Sequence, residues 1–198
     1  MKKLSTYLFL IFFSFQTSSW ADDIRDFQIE GMSIGDSLLD YISEEKILNN
    51  MRYVYEDNNK IQSKDIAAIV YDKNLIIYDI VQVNFKTYDN IFEIVGLMGH
   101  IFFENNMEGC YKKQNQIFDE ISLISKGAET KKGDLEDHQG YPKGEVKIKS
   151  FSFFLRKNER SNLEVVCFDA IEKLKLRDRL SVSLKSKEFN NWMEELYK

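Results

Sequence analysis

The sequence predicts an α+β fold, an antiparallel sheet with helices packed on one side. Three observations carry this. Some runs alternate apolar and polar residues, as in Val81, Val83 and Phe85 against Gln82, Asn84 and Lys86. Other stretches repeat apolar residues every three or four positions, as in Ile117, Ile121 and Ile124. Strands also follow one another in series instead of alternating with helices, which argues against a parallel, doubly wound sheet. The expected order is helix, four strands, helix, three strands, helix.

The first segment lies ahead of the fold. Lys2 and Lys3 precede a largely apolar run over residues 7–15, then come polar residues 16–19, then Trp20-Ala21 before Asp22-Asp23. A basic start, a short hydrophobic middle, and Ser19 and Ala21 at the −3 and −1 positions make the pattern of a secretory signal peptide. The apolar run is about half of the roughly twenty residues a membrane span requires. Cleavage is therefore expected between Ala21 and Asp22. It leaves residues 22–198 as one α+β domain, with 22–127 and 146–198 as candidate subdomains joined by an exposed loop, 128–145. The expected location is the periplasm or the outside of a bacterial cell, with no stable membrane span after cleavage.

Ser33, with Asp36 three residues on, forms a capping-box variant, and Ile34, Leu38 and Ile42 recur every fourth residue, which predicts a first helix over 34–48. Residues 51–56, 66–71, 75–85 and 91–103 read as four strands, with 57–59, 72–74 and 87–90 as turns. Gly96 and Gly99 in the last of these mark a bend in a curved sheet, or a place where a ligand meets bare backbone. A second helix is predicted over 107–124, stopped by Lys126-Gly127. Residues 128–145 hold almost nothing apolar and read as a long exposed loop, either a binding loop or an unconstrained excursion. Strands follow at 146–155, 163–171 and around Leu180, Val182 and Leu184, and 158–162 is a turn. Ser186 caps a closing helix whose Phe189, Trp192, Met193 and Leu196 form a stripe of core or docking residues.

Charge narrows the choice of partner. Loss of Lys2 and Lys3 with the leader leaves 25 of the 27 basic residues against all 32 acidic ones, a net charge near −7. Phosphate backbones repel such a chain, so nucleic acid is not an expected partner. The 15 Phe, 10 Tyr and single proline, Pro142, fit an AT-rich bacterial coding sequence and are discounted as a ligand signal.

Cys110 and Cys167 are an even pair in a chain read as exported, so a disulfide is the leading reading, with two separate buried thiols as the alternative. A Cys110 nucleophile assisted by His100 or His138 has no framing motif. Gly31 and Gly35 lack the lysine of a phosphate-binding loop. His138, with Glu136 and Asp137, is too sparse for a metal site, and no cofactor is expected.

The segment Phe27-Gln28-Ile29-Glu30-Gly31-Met32-Ser33-Ile34-Gly35-Asp36-Ser37-Leu38-Leu39 resembles the opening of uncharacterised small exported bacterial proteins. It is more loosely similar to the helix start of the small lipoprotein of the outer-membrane barrel-assembly machinery, from which it departs in lacking a lipidation cysteine. Neither resemblance implies a site residue. The expected function is binding of an envelope protein or a small ligand without catalysis. The alternative is a secreted hydrolase whose carboxylates, with Asp36, Glu44 and Asp169 as candidates, converge only in the fold.

Overall fold

Alternation decides the centre of the molecule and backbone pairing decides its margins. The computed structural model describes residues 21–53, 56–57, 60–61, 64–125, 127–155 and 162–196; positions 1–20 of the expected leader and 158–161 of the turn expected over 158–162 lie outside them, and Asn162 is the first residue of a strand. Two short 3₁₀ turns, Ile24–Asp26 and Leu38–Asp40, lead to α1 (Glu44–Asn50) and β1 (Arg52–Tyr53). A small hairpin, β2 (Glu56–Asp57) with β3 (Lys60–Ile61), precedes β4 (Ile66–Tyr71), β5 (Ile80–Lys86) and β6 (Ile94–Phe102). Then come α2 (Met107–Ile124), β7 (Glu129–Lys132), β8 (Glu136–Asp137), β9 (Val146–Phe154) and β10 (Asn162–Ala170). A 3₁₀ turn at Glu172–Leu174, β11 (Arg179–Lys185) and α3 (Lys187–Leu196) complete the described chain.

Nine of these strands form one antiparallel sheet in the order β1-β4-β5-β6-β11-β10-β9-β7, with β8 also on β9. The fold is thus α+β with an antiparallel sheet and three helices. Two meanders, β4–β6 and β9–β11, meet where β6 pairs with β11, Leu97 opposite Leu184. One face carries Val83, Phe85, Leu97, Val182, Val165 and Phe153 into the main core, under α2 and the segment preceding α1.

The helices do not share one side. Ile66 and Val95 point away from that core and pack under Phe189 of α3, on the opposite face. The expectation of helices on a single side is corrected by this: the apolar stripe of α3 finds Ile66 and Met98 on the face that the first meander leaves uncovered. Ser186 caps α3 as the sequence implies, its Oγ accepting from the Phe189 N–H at 3.0 Å.

The expected helix over 34–48 is replaced by a turn-rich stretch, and only Glu44–Asn50 is α-helical. The reason is tertiary. The Gly35 N–H donates to Ile94 O at 2.8 Å, the Ile94 N–H donates to Asp36 O at 2.9 Å, and the Leu38 N–H donates to Phe92 O at 3.3 Å. Backbone pairing with the approach to β6 claims the groups that a helix would have used. Half of the capping box survives, with the Ser33 N–H donating to Asp36 Oδ2 at 2.8 Å.

Strand β5 begins five residues later than the apolar pattern suggests. The Glu30 carboxylate accepts from the backbone N–H groups of Ile76, Ile77 and Tyr78 at 2.9, 2.6 and 3.0 Å, which removes them from the ladder. The 128–145 stretch is not a free loop either, since β7 and β8 both pair with β9. Both strands are held by backbone pairing, so neither needs an apolar pattern, while Lys132 Nζ lies 3.8 Å over the Phe118 ring and Asp137 Oδ1 accepts from the Gly144 N–H.

Gly96 and Gly99 admit aromatic rings of the chain itself. A Cβ on Gly99 would come 2.5 Å from Tyr78 Cδ1 on the core face, and one on Gly96 would lie 3.2 Å from Phe189 Cδ1 on the other. The bend of the sheet sits beside Gly96, where the β5–β6 register shifts between Asn84 and Phe85.

Candidate functional site

The sulfur reading resolves first. Cys110, in the first turn of α2, is bonded to Cys167 of β10, and both are fully buried. A Cys110 nucleophile is therefore excluded. Beside the bridge, Gln114 donates from Nε2 to Lys149 O at 2.6 Å and to Val165 O at 2.8 Å, fastening α2 to the second meander.

The two histidines do not meet. His100 sits on the face opposite α2, its Nδ1 2.7 Å from Ser181 Oγ across the β6–β11 pair. Burial, and then the charge of Arg179, pull its pKa down to about 4, so the imidazole is neutral near pH 7. His138 packs edge-on to Tyr141 and Phe168, at 5.2 and 5.3 Å between ring centres, and its Nδ1 accepts from the Gly140 N–H at 3.0 Å. It pins the 138–141 turn onto the sheet. Among the described residues no group of three or more His, Cys, Asp or Glu side chains is placed to hold a metal ion.

The three acids named from sequence stay apart in role. Asp36 accepts from the Ser33 N–H and, at 2.6 Å, from the Tyr41 hydroxyl, whose pKa is raised by burial and by that bond. Glu44 stands in the first turn of α1. Asp169 lies at the far end of β10, where burial, then the charge of Asp178, raise its pKa against the pull of Lys147. Gly31 and Gly35, with φ of 82° and 92°, serve turns. Ala21 is 5% exposed, and its N–H donates to Ile124 O at 3.2 Å. The Asp22 N–H donates to Asp26 Oδ2 at 3.1 Å.

A recess of about 480 Å3 opens elsewhere, at the corner where α3 crosses the start of β4. Asp65 and Ile66 form its floor, Tyr88 reaches in from the turn after β5, and α3 contributes Lys187, Glu188, Asn191, Trp192 and Glu195. Positions 188, 191, 192 and 195 fall three or four apart, so one stripe of α3 lines the cleft. Trp192 stacks on Phe189, with ring centres 5.7 Å apart and planes at 27°.

One edge of the cleft is rigidly built. Lys86 Nζ lies 2.8 Å from Glu188 Oε2 and 2.9 Å from Glu93 Oε2, and the Tyr88 hydroxyl donates to Glu188 Oε1 at 2.9 Å. Burial lowers the Lys86 pKa, but the hydrogen bonds to Glu188 and Glu93 outweigh it and hold the ammonium above its ordinary value. Partial burial, then the bond to Glu188, raise the Tyr88 phenol. The cleft therefore combines two aromatic rings, a carboxylate fixed by Lys86 and Tyr88, and a floor of Asp65 and Ile66. No family model, curated protein or solved structure matches this chain.

Sequence reasoning found Trp192 as part of a stripe but missed Asp65, Tyr88 and Glu195. The one signal within reach was the spacing of Glu188, Asn191 and Glu195 along the closing helix. Asp65 and Tyr88 come from turns remote in sequence and carried no such sign.

Proposed function

We propose that this chain is an exported bacterial envelope protein that binds a small ligand in the α3 cleft and performs no chemistry on it. The recess carries the reading: at about 480 Å3 it falls within the roughly 300–1,000 Å3 typical of small-molecule sites, and it is lined by aromatic and polar groups. Its lining includes none of the acids named from sequence, and the raised Asp169 carboxyl belongs to the other end and the other face of the sheet. Export is supported by the leader pattern and by a buried disulfide, which persists in oxidising compartments. Among the described residues no helix is long and apolar enough to cross a membrane.

The test is co-purification from an envelope extract, with bound small molecules identified by mass spectrometry. A species retained by the natural chain and lost in Trp192→Ala supports the reading. An extract component that is instead consumed, with consumption abolished in Asp169→Asn, overturns it. That second outcome would favour the hydrolase alternative, for which the raised Asp169 beside Asp178 and Tyr111 is the supporting observation.

A further inference from the structure

We propose that the outer edge of β7 pairs with the same edge of a second copy of this chain. The inference goes beyond the ligand-binding reading and does not depend on it.

The backbone of β7 is prepared for a further strand. β7 ends the sheet order, and among the described residues it pairs with β9 alone. The Gly133 N–H donates to Ser150 O at 2.7 Å, and this fixes the alternation of the ladder. Residues 129, 131 and 133 turn their N–H and C=O groups toward β9, whereas Thr130 and Lys132 turn theirs outward. All four residues of the strand are exposed. An edge of this kind is a template for pairing with another chain.

The side chains say which chain. Lys132 lies over the Phe118 ring of α2, which places Thr130 and Lys132 on the helix side of the sheet and Glu129 and Lys131 on the other face. Among the described residues neither Glu129 nor Lys131 makes an ion pair. Opposite charges two positions apart on one face make the strand complementary to itself.

Symmetry then selects the register. A two-fold axis perpendicular to the sheet leaves every side chain on its own face, so residues that meet across it are both even-numbered or both odd-numbered. With Thr130 opposite Thr130 of the second copy, Glu129 stands opposite Lys131 of the second copy, and the pair occurs twice. The two threonines exchange backbone hydrogen bonds, and each Lys132 N–H faces the Ala128 carbonyl across the axis. Centring the contact on Lys131 would set like charges against each other, and centring it on Lys132 would set Glu129 opposite Leu135.

Lysine on a sheet edge ordinarily deters pairing. Here one lysine is drawn over an aromatic ring, and the register meets the other with a glutamate. One short strand buries less than the roughly 800 Å2 per partner of a standard interface, so the dimer is weak and depends on concentration.

The experiment is sedimentation equilibrium on the purified protein at concentrations up to about 1 mM, where a weak interface populates its dimer. The natural chain is expected to dimerise reversibly. Glu129→Lys and Lys131→Glu are each expected to weaken the dimer about tenfold, because each sets like charges opposite one another twice, and the combined exchange is expected to restore it. Thr130→Pro removes an outward N–H that the ladder with β9 does not use, so it should abolish the dimer and leave the circular dichroism spectrum unchanged. A monomer at every concentration overturns the inference, as does a dimer that survives Thr130→Pro. Insensitivity to the single reversals, or failure of the combined exchange to restore association, overturns it equally, and this series decides the matter if Thr130→Pro does not fold.

Discussion

Strands β4–β6 are covered by a chain of turns, whereas β9–β11 are covered by one helix. Over the first meander the backbone does the fastening. Gly35, Asp36 and Leu38 pair with residues 92–94, and the Glu30 carboxylate takes three N–H groups from the loop before β5. Several residues there hold left-handed conformations to permit this, including Glu30 at φ 51° and Phe92 at φ 51°. Over the second meander side chains fasten: Cys110, Gln114, Ile117 and Ile121 form one buried stripe of α2, and two of them reach the sheet by a covalent bond and by hydrogen bonds. Two similar apolar meanders of one sheet can thus be closed by local periodicity with a covalent tie, or by irregular backbone pairing with none.

The largest expected effect lies in that tie. The bridge spans 57 residues, and constraining so long a loop in the unfolded chain contributes about 4 kcal/mol in the chain-entropy model. Cys110→Ala combined with Cys167→Ala should lose about that much stability in urea unfolding. Amide exchange should accelerate first in α2 and β10 if the halves are fastened independently. A uniform acceleration across β4–β6 would instead show that the two meanders open as one unit.

The seam between the halves carries a pH dependence. His100 of β6 faces Ser181 of β11, and its pKa falls from 6.5 to about 4 on folding. The unfolded chain therefore takes up this proton first as pH falls. The contribution is fully present above about pH 6.5 and is lost progressively between there and pH 4, on the order of 3 kcal/mol over the whole window. Urea midpoints of the natural chain and His100→Gln, compared at pH 7.5 and 4.5, isolate this share from the carboxylates. Parallel acid slopes for the two would refute it.

The two faces of β6 offer a finer contrast. In Gly99→Ala the new methyl group meets the buried Tyr78 ring at 2.5 Å, while in Gly96→Ala the tightest contacts, with Phe189 and Asn84, are at 3.2 Å. Overpacking should cost about 2 kcal/mol at Gly99 and clearly less at Gly96, measured by thermal unfolding. A larger loss at Gly96 would mean that α3, not the core, is the stiffer neighbour.

This asymmetry also explains what could be read from the sequence. The boundaries of α2 and β4 were legible because a 3.6-residue stripe and a bounded apolar run each point to one structure. The same logic failed at Ile34, Leu38 and Ile42, whose spacing suits a helix but whose neighbours are claimed by residues 92–94. It failed again at Glu129–Lys132, a strand made by backbone pairing with no side-chain pattern to announce it. Trp192 was legible as part of a face, but the cleft needs Asp65 and Tyr88, and only the assembled sheet brings those turns to α3.

The smallest expected effect concerns how the two covering segments begin. Asn106 Oδ1 accepts from the Gly109 N–H at 3.0 Å and closes the first turn of α2, while Ser43, at the same position before α1, makes no side-chain cap bond. Asn106→Ala should cost about 1 kcal/mol, the usual value of a lost N-cap, and Ser43→Ala close to nothing. The difference follows from what holds each helix. The seven residues of α1 are placed by Ile47 in the core, the Met51 N–H bond to Ile47 O and the pairing of the turns before them. The first turn of a helix is its costly nucleus, so a cap that helps to form the first turn of α2 helps to present Cys110 to Cys167. Oxidative refolding supplies a second readout, because Asn106→Ala should slow closure of the bridge and Ser43→Ala should leave its rate unchanged. Equal slowing in both would show that the first meander must be closed before the second can be tied.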